Sequence, residues 1–248
     1  MKNYNIKDKI KACVTILIIV LAIVLTGIIT IKYQVEGEKN MPFTLSKITI
    51  MSTAEGIERE GSTEKWNLAL YQNNDIYFSI EKNEGSQEAI IESVIIENIE
   101  IVKLPSIGTV KTYMPNSSDG RLFSYSKEYI LEENKLTFAG ATKSNSKTLE
   151  IGNQGGTAVI RFSNIDIGEY ISDEDEEVIH NGTILKKVTE NIEDIEFEVK
   201  FDLVINLGDK KYKSNISLTL PCANLLEEGI SRKEISGEEN FVFKRVIN

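Results

Sequence analysis

The densest chemistry in the chain is "ISDEDEEVIHNGTILKK", Ile171 to Lys187, with five consecutive acidic residues followed by the only histidine. Asp173, Asp175 and Glu177 alternate as the oxygen ligands of a calcium loop do, with Asn164, Asp166 and Gly168 just upstream. A helix-loop-helix calcium site, counted from Asp173, needs glycine at its sixth position and glutamate at its twelfth. Val178 and Ile184 stand there instead. Zinc wants several His or Cys at short spacings, and His180 has no second histidine to work with. Asn181-Gly182 favours a two-residue hairpin turn, because both residues tolerate positive φ. The stretch therefore predicts a solvated acidic loop leading into a hairpin, with Val178–His180 going in and Thr183–Leu185 coming out. It predicts no metal and no cofactor.

The second chemical candidate is "LTLPCANLLEEGISR", with Thr219-Leu220-Pro221-Cys222 and Arg232 ten residues further on. Together with the upstream His180, this resembles a sortase, an anchored surface transpeptidase built on a β-barrel. The family motif is Thr-Leu-x-Thr-Cys followed by an Arg. The resemblance implies that Cys222 attacks a carbonyl, His180 serves the leaving amine and Arg232 stabilises the oxyanion. Pro221 stands where the family has Thr, and one residue is missing between Leu and Cys. Without the resemblance, Cys222 reads as a small buried hydrophobe at a strand end, with Pro221 closing the strand. "SYSK" and "SNSK" match a Ser-x-x-K pattern without its companion motifs. "NQGGT" precedes a strand rather than a helix, so it is no phosphate loop.

These residues sit in a chain of two unlike parts. "ACVTILIIVLAIVLTGIITI", residues 12–31, is uncharged, and as a helix it spans ~30 Å, the thickness of a bilayer's hydrocarbon core. Thr15, Thr26 and Thr30 can bond back to backbone carbonyls. The run is longer than the apolar part of a signal peptide, and no small-x-small cleavage site follows it. Lys2, Lys7, Lys9 and Lys11 precede it, which predicts a cytoplasmic basic tail at 1–11 and an outside body. Five Lys and one Asp give residues 1–33 a charge of +4; against a total of −10, residues 34–248 carry −14. An acidic body excludes nucleic acid and anionic membrane surfaces as partners. Cys13 lies in the membrane and Cys222 outside it in this reading, so they cannot pair and stability must come from the core.

After a linker at 32–43 the pattern becomes alternating. "TLSKITIM", "KWNLALYQ", "DIYFSIEKN", "AIIESVIIENIEIVK", "GTVKTYM", "RLFSYSK", "KLTFAGA", "KTLEIG", "TAVIRFSN", "EVIHNGTILKKV", "IEFEVKFDLVINL", "KYKSNISLTL" and "NFVFKRVI" read as strands. Asn73-Asn74-Asp75, Glu84-Gly85-Ser86, Asn116 to Gly120, Gly152 to Gly156 and Gly208-Asp209 read as turns. "TAEGIEREGSTEK" holds at most a short helical turn, and "ANLLEEG" another between Asn224 and Gly229. The fold class is mainly β: an N-terminal transmembrane helix followed by an antiparallel β-sandwich over 44–248, as one body or two small sandwiches.

The chain as a whole resembles single-pass, membrane-anchored β-rich proteins of low-GC Gram-positive, clostridial-type bacteria. The resemblance rests on "MPFTLSKITIMSTAEG", "IRFSNIDIGEYISDEDE" and "FDLVINL". That group carries no assigned function. The resemblance implies a single-pass protein with its C-terminal body extracytoplasmic, at the cell envelope. The expected function is binding or scaffolding there, with the lipid bilayer on residues 12–31 and an unknown protein or envelope polymer as partners. The alternative is the cysteine transpeptidase.

Overall fold

A computed structural model describes residues 6–36, 41–59, 66–86, 88–116, 122–172 and 183–246. Helix α1 spans Ile6–Glu36, and its Lys9–Thr30 portion is long and apolar enough to cross a membrane. Thr26 Oγ1 donates to Ala22 O and Thr30 Oγ1 to Thr26 O, each at 2.8 Å. Back-bonding of this kind lets a hydroxyl sit in lipid without an unmet donor.

The body is mainly β. Its elements, in chain order, are β1 (Phe43–Glu58), β2 (Asn67–Lys82), β3 (Ser93–Lys103), β4 (Thr109–Tyr113), β5 (Lys135–Gly140), β6 (Leu149–Ile151), β7 (Gly155–Ile171), α2 (Thr183–Lys186), α3 (Ile192–Ile195), β8 (Phe197–Leu207), β9 (Lys210–Leu220), α4 (Leu225–Glu228), β10 (Ile230–Ser236), α5 (Gly237–Asn240) and β11 (Lys244–Val246). Among the described residues they form two sheets, ordered β10-β1-β2-β7-β4 and β11-β9-β8-β3-β5-β6. Sheet packing buries alternate side chains of each strand: Ile76, Phe78 and Ile80 of β2, and Phe201, Leu203 and Ile205 of β8. Phe201 joins the layers. Its ring meets Phe78 edge-on at 5.6 Å and stacks on Phe162 at 6.3 Å.

Five sequence expectations need correction. Asn73-Asn74-Asp75 is no turn: it lies mid-way along β2, where cross-strand partners satisfy its side chains. "TAEGIE" is not helical but continues β1, paired residue by residue with β2 as far as Glu58. "RLFSYSK" forms no strand; its described part, from Leu122, leads into a single 3-10 turn at Lys127–Tyr129. The outgoing arm of the Asn181-Gly182 hairpin is helical, as α2. Ile184, Leu185 and Val188 repeat at helical spacing, and the first two bury against Leu225 and Leu226. Finally, β5 and β6 pair in parallel, so one sheet is mixed. β10, a short edge strand of mostly exposed residues, has no counterpart among the runs read as strands.

The pairing defines two ends. At the end where β1 begins, Phe43 lies opposite Lys82, and β7 starts and β10 finishes nearby. Six residues separate this end from α1, a reach of at most about 20 Å. At the far end are Glu58, Asn67, Ile171 and Ile230, about 50 Å along β1 at ~3.3 Å per residue.

Candidate functional site

Polar side chains collect on both faces of the five-stranded sheet. On the outer face, β2 presents Tyr71, Asn73, Asp75 and Tyr77 in alternation, because the intervening residues point into the core. Register sets Ser163 opposite Asn73 and Arg161 opposite Asp75, with Tyr113 of β4 opposite Arg161. The segment after Leu122 lies across this face and adds Phe123, Tyr125 and Ile130.

Arg161 donates to Asp75 through Nε at 2.5 Å and Nη2 at 2.9 Å, a two-pronged pair. Its guanidinium stands 4.4 Å from the centre of the Phe123 ring. Tyr125 meets Tyr71 edge-on at 5.0 Å and Tyr113 at 5.7 Å. Its hydroxyl donates to the Glu55 carboxylate and accepts from Asn73 Nδ2 at 2.6 Å. Asn73 Nδ2 also donates to Glu55 Oε2 at 2.8 Å, and Ser163 Oγ donates to Asn73 Oδ1 at 2.6 Å.

Burial, then the Glu55 contact, pushes the Tyr125 hydroxyl far above the ordinary tyrosine value. Burial likewise raises Tyr71, with Asp166 adding to it, and Tyr77, with Asp75 adding to it. It raises Tyr113 too. All four therefore stay protonated at neutral pH: they offer hydrogen-bond donors and ring surface, not a base or a nucleophile. Arg161 and Asp75 neutralise each other. The arrangement suits recognition of a polar ligand, or clamping of the 122–131 strap, rather than proton transfer.

On the inner face of the same sheet runs a second polar line. Ser52, Gln72, Asn74 and Asn164 are all fully buried. Ser52 Oγ donates to Asn74 Oδ1 at 2.7 Å and accepts the Cys222 amide at 2.8 Å. Asn74 Nδ2 donates to Phe162 O at 3.1 Å, and Asn164 Nδ2 to Ile107 O at 2.8 Å. The Gln72 amide has no partner at either atom, nor has Asn164 Oδ1. Gly108 is required beside Asn164: its φ is +91°, and a Cβ there would sit 2.1 Å from Asn164 Oδ1.

The residues singled out by sequence fall elsewhere. Cys222 is buried just after β9, its thiol packed beside Ile50 O at 3.7 Å on the core side of β1. Arg232 of β10 lies opposite Met51 and stands in solvent, paired with Glu234. β1 thus separates the thiol from the guanidinium. His180, Asp173, Asp175 and Glu177 lie outside the described residues, in the stretch joining β7 to α2. Among the described residues no group of three or more His, Cys, Asp or Glu is placed to hold a metal. Asp202, on the outer face of the other sheet, accepts from Asn98 at 2.8 Å, Lys213 at 3.1 Å and Asn215, so its carboxylate is saturated from within.

Glu55, Asp75, Tyr125 and Arg161 escaped sequence reasoning. The available signal was charge at outward positions of otherwise apolar alternating runs, as in "TAVIRFSN". No protein-family model, curated protein or solved structure matches the chain.

Proposed function

We propose that this protein is a single-pass, membrane-anchored β-sandwich that binds or scaffolds at the cell envelope, its body extracytoplasmic and without catalysis. The observation that carries the reading is how the reactive side chains are used. The Cys222 thiol is buried in the core, Arg161 is spent on Asp75, and Asp202 is held by three donors. The lysines before the apolar span support the orientation.

The partner meets the end of the sandwich away from the tether. Trp66, Val102, Leu104, Ile171 and Ile230 lie at or near that end of their strands as exposed apolar side chains, and Leu104 is 70% exposed. Exposed apolar groups rimmed by charge mark interaction surfaces. The negative body disfavours anionic polymers, so the partner is a protein or a neutral or cationic envelope polymer.

Site-specific photo-crosslinking tests this in intact cells. A photoreactive residue at Trp66 or Leu104 of the full-length protein is expected to give one reproducible adduct. The same residue at Lys233, an exposed position of the edge strand β10, serves as control. Equal or absent adducts from both regions count against the reading. Protease added to wall-stripped cells should digest the body and spare the N-terminus; a protected body would reverse the orientation.

A further inference from the structure

The buried apolar residues of the body do not form one continuous core. The larger cluster fills the space between the two sheets, from Phe43 and Ile48 to Phe201 and Leu218. A second contains Leu68 and Leu70 of β2 and Ile167 and Tyr170 of β7, covered by Ile184 and Leu185 of α2, Ile195 of α3, and Leu225 and Leu226 of α4. Along the inner face of β2 the residues between the clusters are Gln72 and Asn74, and the polar line Ser52, Asn74, Gln72 and Asn164 crosses three adjacent strands there.

The backbone breaks at the same place. Leu70 pairs with Gly168 but Gln72 pairs with Asn164, so β7 carries two extra residues at the boundary. Asp166, inside that bulge, is left-handed with φ 57°. Beyond the seam the layer facing the sheet also changes, from strands to three four-residue helices. Helices of one turn have no stability of their own and hold only by packing. The seam itself gives little cohesion, since a buried amide without partners opposes burial.

We infer that α2, α3 and α4 form a cap that opens as a separate cooperative unit, hinged on the Gln72–Asn164 seam, while the sheet-on-sheet core stays closed. Opening uncovers the apolar faces of Leu68, Leu70, Ile167 and Tyr170 at the end of the body away from the tether. The device is conformational: an apolar surface kept covered and released by a local, not a global, transition.

Native-state hydrogen exchange on the full-length protein in lipid nanodiscs, across low urea concentrations, tests this. Amides of 187–189, 194 and 227–229, whose acceptors lie within the cap, are expected to exchange at lower urea, and with a smaller urea dependence, than those of 76–80, 159–162 and 199–205. A common urea dependence for both sets would make the body one unit and overturn the proposal. Leu185→Ala should speed exchange of the first set on the order of a hundredfold and leave the second unchanged; equal acceleration of both sets counts against it. Ile195→Val serves the same comparison with a smaller perturbation. Gln72→Leu removes the unpaired amide and joins the two apolar faces, so it should slow exchange of the first set. Unchanged or faster exchange there would remove the seam from the mechanism.

Discussion

Arg161→Leu is the substitution whose cost the structure specifies best. The Arg161 and Asp75 side chains are 15% and 14% exposed, so the pair is largely desolvated. Removing the cation leaves the Asp75 carboxylate without its two donors in a site walled by Tyr77, Tyr125 and Phe123. Breaking a buried pair from one side costs about 3–5 kcal/mol, and the lost contact with the Phe123 ring adds about 0.5–1 kcal/mol. For a body of this size each kcal/mol lowers the melting temperature by about 2–4 °C, so a fall of roughly 7–24 °C is expected. The assay is thermal denaturation of the full-length protein in detergent, followed by near-ultraviolet circular dichroism. The double substitution Asp75→Leu with Arg161→Leu is the decisive arm. It leaves no orphan charge, so it should recover most of the loss, to within about 2 kcal/mol of the parent. A single substitution costing less than about 1 kcal/mol would refute the desolvated-pair argument. So would a double substitution equal to the sum of the two singles.

Three further outcomes follow from the same geometry. Ser52→Ala leaves both the Cys222 amide and Asn74 Oδ1 without their partner and should cost about 1–3 kcal/mol in chemical denaturation, although only one oxygen is lost. Tyr125 is protonated in the fold to higher pH than in the unfolded chain, first because it is buried and then because it donates to Glu55. Its stabilisation is therefore complete below pH ~10 and declines as pH rises above that. Tyr125→Phe should flatten the fall of melting temperature between pH 9 and 11, and an unchanged slope would contradict the assignment. Asp173→Asn with Asp175→Asn and Glu177→Gln should leave the melting temperature equally indifferent to millimolar calcium and to chelator. A calcium site at a hundredfold excess over its dissociation constant would add ~2.7 kcal/mol, and a shift of several degrees abolished by those amides would reveal one.

Alternation made the sandwich legible where each strand has one apolar face, as in "DIYFSIEKN" and "IEFEVKFDLVINL", and the apolar span was legible from length alone. The errors concentrate at the polar residues of the five-stranded sheet. Asn-Asn-Asp is turn chemistry by local propensity, because these side chains compete for their own backbone. At Asn73, Asn74 and Asp75 tertiary partners win: Ser163, Ser52 and Arg161 come from strands 22 to 90 residues away in sequence, and no local rule sees them. "TILKKV" was misread for a related reason. Asn181-Gly182 dominated the local pattern, while the covering role of Ile184 and Leu185 depends on Leu225 and Leu226, some forty residues downstream. The candidate site failed in sequence by the same logic. Cys222, His180 and Arg232 attract attention because their types are reactive, yet reactivity depends on exposure and convergence, and β1 lies between the Cys222 thiol and the Arg232 guanidinium. The residues that do converge are a tyrosine, two carboxylates and an arginine, types common enough to be silent in a linear chain. What marks them is the register of three adjacent strands and the segment laid across them. The same register draws the inner seam, so a shift of β2 by one residue would exchange the two faces and set Asn73 and Asp75 into the core. The alternating apolar residues of β2, from Leu68 to Ile80, thus fix which face is inside, and Gln72 and Asn74 among them divide the apolar core in two.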